Sequence, residues 1–167
     1  DPGIRGLKST TFLQLMNHSA AANLALMLKL TGRVWAPAAA CASSSQAIGL
    51  GFETLRAGAQ DVMICGGAEE LHVTTAVTFD VVHGTSRAFN ESPTKTPRPF
   101  EARRDGLVVA EGAGLVVLEE LEHAVRRGAT VLGEVLGFGT TCDAEHMSTP
   151  ARGGMARIHR VYDRNIL

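Results

Sequence analysis

Ala38-Ala39-Ala40-Cys41-Ala42-Ser43-Ser44-Ser45-Gln46 is the stretch on which the fold of this 167-residue chain turns. Before it runs Arg33-Val34-Trp35-Ala36-Pro37, apolar and extended in pattern. After it, Ile48, Leu50, Phe52 and Leu55 recur among small residues at helical spacing until Gly58. The reading is strand, abrupt turn, buried helix, with one thiol at the bend. A helix N-terminus favours a thiolate and so nucleophilic chemistry, and the small neighbours leave room for an acyl group. Against this stands a buried structural cysteine, because free cysteines rank among the most buried residues. Local sequence leaves both readings open.

Working outward, 33–40 is read as a strand and 42–57 as a helix. Upstream, Thr10 to Leu30 has a helical pattern, with Asn17 or Ser19 as an internal restart and Gly32 as the C-cap. Its second half is apolar on nearly every face, which predicts burial. Downstream, Asp61-Val62-Met63-Ile64-Cys65 closed by Gly66-Gly67 reads as a central strand covered on both faces, with Cys65 simply packing. From Glu69 to Phe89 the signal is mixed, with Leu71, Val73, Val77 and Phe79 on one side of a short helix or an irregular segment. Asn90 to Pro99 reads as an exposed proline-bearing loop and 103–106 as a turn. Gly112-Ala113-Gly114 leads into Leu115-Val116-Val117-Leu118, a buried strand. Glu119 to Arg127 reads as a charged helix with Leu121, Ala124 and Val125 inward and Gly128 as cap. Thr130 to Thr141 reads as a long strand, and Met155 to Leu167 as the opening of another helix. This alternation of helices and strands argues for a layered α/β domain.

Composition narrows the function. A hydrophobic fraction of 45% with 20% charged residues is that of an ordinary globular domain. A formal net charge of -1 without a basic stripe argues against a nucleic-acid surface. Cys41, Cys65 and Cys142, an odd number at wide spacing, make neither a disulfide framework nor a zinc pattern, which suits a reducing cytoplasm. The longest apolar segment, Ala20 to Leu30, is too short to span a bilayer. No signal peptide is visible, and the start at Asp1 suggests a stretch from a longer protein. The glycine pairs at 66–67 and 112–114 lack phosphate-loop spacing and fit turns and close packing better. Glu69-Glu70 reads as structural, and Asp143, Glu145 and His146 match no standard ligand set, so no metal is assigned.

Taken together, the motifs resemble a β-ketoacyl-acyl carrier protein synthase, a condensing enzyme with the thiolase fold. The resembling runs are Ala40-Cys41-Ala42-Ser43, then residues 59–70, Pro97-Arg98-Pro99-Phe100-Glu101 and Arg103-Arg104-Asp105-Gly106. Glu111-Gly112-Ala113-Gly114 to Leu118-Glu119-Glu120, Arg127-Gly128-Ala129 and Cys142-Asp143-Ala144-Glu145-His146-Met147 continue the series in order. The resemblance implies a thiolase-like layered α/β fold, with helices packed on a mixed sheet and only part of the full fold present. It implies residues 1–167 as the central part of a synthase, mostly its N-terminal half, with the catalytic histidines and lysine of the C-terminal half absent. Cys41 then matches the nucleophile that carries the acyl chain before condensation with a decarboxylated malonyl unit. Its own N–H would be one donor of the oxyanion hole. Phe79 matches a residue lining the acyl pocket. Leu107 replaces the phenylalanine usual beside the malonyl pocket, a departure that alters that pocket. The Glu69-Glu70-Leu71 continuation looks closer to synthase I than synthase II. No cofactor is implied beyond the phosphopantetheine of acyl carrier protein. The implied partners are that carrier and a second copy of the chain, paired through the strand before Cys41, in the cytoplasm. Rival readings are an acyl-CoA condensing relative, a non-catalytic chain-length subunit, and an inactive piece with only a dimerisation surface.

Overall fold

A computed structural model describes residues 8–146. They belong to two compact units, the first built from 8–67 with 115–146 and the second from 68–114.

In the first unit the helical pattern after Lys8 is split into α1 (Ser9–Leu15) and α2 (Ser19–Met27). The restart falls at Ser19, whose hydroxyl reaches back to the Leu13 carbonyl. Gly32 does not cap α2. Lys29, at φ 54, takes the left-handed position instead: its N–H donates to Leu26 O at 3.2 Å, and the Leu30 N–H to Ala25 O at 2.8 Å. That pair of bonds is the Schellman closure usually given to glycine. The expected burial of α2 is corrected too, for none of its residues is buried. Apolar residues on every face disappear only under a complete covering layer; here Ala21, Ala22, Leu24 and Ala25 are half-buried, while Leu26 and Met27 stay exposed.

The expected strands at 33–40 and 130–141 are not formed; both segments are irregular. A strand exists only through ladder bonds to a neighbour. The sheet among the described residues has two strands, β1 (Val62–Glu69) and β2 (Gly112–Glu119), paired with each other. The Glu120 N–H donates to Asp61 O at 2.9 Å, joining the end of β2 to the start of β1 as in an antiparallel pair.

Over this sheet lies α3 (Ser43–Arg56), closed by Gly58 at φ 66 with the same two cap bonds. The contact is made by small groups. Gly49, Gly51 and Thr54 are the buried residues of α3, and Cys65 beneath them is 4% exposed. A Cβ on Gly51 would overlap the Cys65 sulfur, one on Gly49 the Phe138 ring, and one on Gly67 the Ser44 hydroxyl. Glycine here permits close helix–sheet approach, which explains an amphipathic helix whose buried face lacks large residues. β1 is therefore covered on one face, not two: Cys65 faces α3, while Val62 and Ile64 on the alternate positions are exposed. The Leu115–Val117 run of β2 is likewise exposed rather than buried.

α5 (Leu121–Arg126) starts at Glu120, whose side chain accepts the Glu122 and His123 N–H groups at 3.0 and 2.7 Å. It ends on Gly128 at φ 72. Of the three residues expected inward, Ala124 is buried, but Leu121 and Val125 are exposed. Among the six residues of this helix, Ala124 is the buried one. Glu119 anchors the helix, its carboxylate held by Arg127 Nε at 2.7 Å and Nη2 at 2.6 Å and by the His123 ring. Arg127 first, then His123, hold its pKa at about 2. A carboxyl lowered on folding contributes stability above its unfolded value, near 4.5, and loses it as pH falls toward 2. Glu119→Gln should therefore lower the urea midpoint at pH 7, and the difference should close between pH 4.5 and 2. A gap that stays constant across that window would refute the linkage.

The second unit resolves the mixed segment. α4 (Val73–Val81) starts at His72, whose Nδ1 accepts the Thr74 N–H at 3.3 Å. Val73 and Val77 share one exposed face with Thr74 and Thr78, while Leu71 precedes the helix. His83, at φ 57, caps it, and the Gly84 N–H closes back on Phe79 O at 2.8 Å. The predicted helix over 155–167 lies outside the described residues.

Candidate active site

Ala40-Cys41-Ala42 forms a single 3-10 turn that runs directly into α3. Ala40 has φ 47, a left-handed conformation costly to alanine, which makes the bend abrupt. Ser43 ties the bend: its Oγ accepts the Ala39 N–H at 2.8 Å and donates to Ala40 O at 2.7 Å. Cys41 is exposed at the head of the helix. Among the described residues no backbone hydrogen bond takes up its N–H. A thiol and a free amide thus occupy one residue at a helix start, an arrangement able to attack a carbonyl and bind the resulting oxyanion. The other thiols differ. Cys65 lies under α3, and burial pushes its pKa up. Cys142 is exposed in the irregular segment after 130.

The other expected site residues, Phe79 and Leu107, belong to the second unit, where Gly84 joins them. Its N–H bonds Phe79 O, its O accepts the Leu107 N–H at 2.9 Å, and Leu107 O accepts the Ser86 N–H at 2.8 Å. Phe79 is half-buried and Leu107 37% exposed.

The sequence marks 103–106 as a turn and as one of the resembling runs, but not the hydrogen bonds that Asp105 makes there. Its Oδ1 accepts the Ser86 hydroxyl at 2.7 Å, and its Oδ2 accepts the Arg87 and Ala88 N–H groups, each at 2.7 Å. These bonds, that from Ala88 first, hold the Asp105 carboxyl below the ordinary range. Thr96 donates to the Ser86 oxygen at 2.7 Å. Alongside, Arg87 Nη2 meets Asp80 Oδ1 at 2.7 Å, and Thr85 Oγ1 donates to the same oxygen at 2.9 Å. The Arg87 bond is the main reason the Asp80 carboxyl is lowered. No local pattern announces partners separated by 17–19 residues.

Glu69 and Glu70 are exposed at the end of β1. Among the described residues no three His, Cys, Asp or Glu side chains gather as a metal site, and no helix is long and apolar enough to cross a membrane.

Residues 4–124 match the family described as β-ketoacyl synthase, N-terminal domain. The chain is 39% identical over 155 residues to the 3-oxoacyl-[acyl-carrier-protein] synthase 1 of Haemophilus influenzae, covering 93% of this chain and 38% of that protein. Against the synthase 1 of Escherichia coli K12 it is 39% identical over 162 residues, covering 95% and 40%. Among solved structures, a β-ketoacyl synthase from Burkholderia phymatum superposes with a TM-score of 0.90 at 45% identity, over 96% of this chain and 39% of that one. A type II polyketide ketosynthase in complex with its acyl-carrier protein and bound to the hexaketide gives 0.87 at 30% identity, over 98% and 41%. The chain thus spans about 40% of the length of the proteins it resembles.

Proposed function

We propose, for a chain that belongs to the β-ketoacyl synthase family through its N-terminal domain, that Cys41 is the nucleophile of an acyl-transfer reaction in fatty-acid or polyketide synthesis. The observation that carries the reading is the exposed thiol at the head of α3, whose own N–H has no backbone partner among the described residues. In the proposed reaction the Cys41 thiolate attacks an acyl thioester on the phosphopantetheine of acyl carrier protein, and the carrier's thiol leaves. A malonyl thioester then loses CO2, and its carbanion attacks the Cys41 thioester carbonyl. The new carbon–carbon bond releases the thiolate and yields a β-ketoacyl thioester longer by two carbons. The Cys41 N–H stabilises the oxyanion of each tetrahedral intermediate, a contribution of about 3 kcal/mol for one such donor.

Phe79 lines the acyl side of the pocket in this reading and Leu107 the malonyl side. Residues 1–167 form the nucleophile-bearing, central part of the synthase. The complete protein works with acyl carrier protein as a cytoplasmic homodimer, and it needs no cofactor beyond the carrier's phosphopantetheine. One experiment tests the whole reading: the full-length protein is given acyl- and malonyl-carrier protein, with an established synthase as reference. A β-ketoacyl product is expected. If the reference makes product and this protein makes none, the proposal fails.

A further inference from the structure

Asp105 is neither a nucleophile nor near Cys41 in the chain, yet it organises the segment that joins Phe79 to Leu107. Its two oxygens collect three donors from consecutive residues, the Ser86 hydroxyl and the Arg87 and Ala88 amides. That gathers 86–88 against the turn at 104–106. The same segment then meets Leu107 by two backbone bonds, Leu107 N–H to Gly84 O and Ser86 N–H to Leu107 O. A parallel bridge pairs Thr85 with Leu107. Gly84 is in turn closed onto the α4 terminus by its N–H bond to Phe79 O. A Cβ on Gly84 would lie 3.5 Å from the Phe79 ring, so the ring packs beside this glycine. One residue therefore separates Phe79 from the backbone that holds Leu107.

We propose that Asp105 is a positioning residue whose carboxylate sets the gap between Phe79 and Leu107, and through it which acyl chains the site accepts. The proposal rests on the reading in which those two residues line the substrate pocket. A carboxylate suits the task because it only accepts hydrogen bonds, and each of its three partners is a donor. Asparagine presents an NH2 group to one or more of those donors, and the bonds it opposes are lost. Segment 86–88 is then released, and Gly84 and Leu107 move with it. A displacement of that kind is felt as discrimination between chains that differ by a few methylenes.

The test uses the full-length protein, with octanoyl- and dodecanoyl-carrier protein offered together and acyl capture by Cys41 measured for each. The ratio of the two rates within one sample does not depend on how much of the protein is folded, so a merely structural role leaves it unmoved. Asp105→Asn is expected to shift the ratio by about fivefold. Ser86→Ala removes one donor of three, and it should shift the ratio the same way by about twofold. The second variant decides the matter if the first does not fold. Ratios equal to the parent's in the folded variants, whatever the absolute rates, overturn the inference. A parent that captures neither chain overturns the proposed function itself, and this inference falls with it.

Discussion

Replacing Cys41 by alanine is expected to abolish covalent acyl capture, by a factor of about a thousand or more. The direct measurement is intact mass of the full-length protein after exposure to an acyl thioester. The parent should gain one acyl mass, located on the Cys41 peptide, and Cys41→Ala should gain none. The protein supplies its own controls. Cys65 is shielded beneath α3, while Cys142 is exposed like Cys41 but is not at the head of a helix. Cys142→Ser should therefore leave capture intact, and a parent that loads Cys142 as readily as Cys41 would show mere chemical exposure. The fold should tolerate Cys41→Ala, because the side chain is exposed and the bend is held by Ser43 and backbone bonds. An acylated Cys41→Ala protein would remove the nucleophile assignment.

Gly106→Ala should destabilise the second unit by about 3 kcal/mol or more. Gly106 has φ 151, a region that residues with a side chain rarely adopt. Its missing Cβ would overlap the Thr85 carbonyl carbon and lie 2.6 Å from the Thr85 oxygen. Both obstacles are backbone, so no rotamer change relieves them. The main chain at 85–86 must shift, and with it the bridge from Thr85 to Leu107. Urea unfolding followed by far-UV circular dichroism is the measurement. Gly112→Ala is the matched comparison, since a Cβ there meets nothing within 4 Å, and its midpoint should stay close to the parent's. Equal midpoints for the two alanine variants would disprove the steric account.

The parts of the fold legible in the sequence are those with local causes. α3 follows from apolar spacing that stops at Gly58, and β1 from a short apolar run. The Gly128 cap of α5 is equally local. What depends on partners distant in sequence was not legible. Segments 33–40 and 130–141 have the composition of strands, but composition supplies no ladder partner, and both are irregular. The inward face expected of α5 shrank to Ala124, because a six-residue helix makes fewer than two turns and carries few positions on any one face. Lys29 and His83 occupy left-handed cap positions that a search for glycine passes over. At the candidate site, the bend at Cys41 was legible from its alanines and serines. The clamp around Asp105 was not, since its donors lie far upstream in the chain.

The contrast between the three thiols bears on how such a protein ages. Sulfur exposed to solvent climbs the oxidation ladder to sulfenic and then irreversible sulfinic acid, while a buried thiol is spared. Cys41 and Cys142 stand open to peroxide, and Cys65 is sealed by a glycine face with no room for an added oxygen. Slow exposure to air therefore strikes Cys41, the proposed nucleophile, while leaving the packing between α3 and the sheet untouched. A stored sample would keep its secondary structure after the Cys41 thiol had gone, and a reductant added in time would preserve what spectroscopy alone could not see being lost.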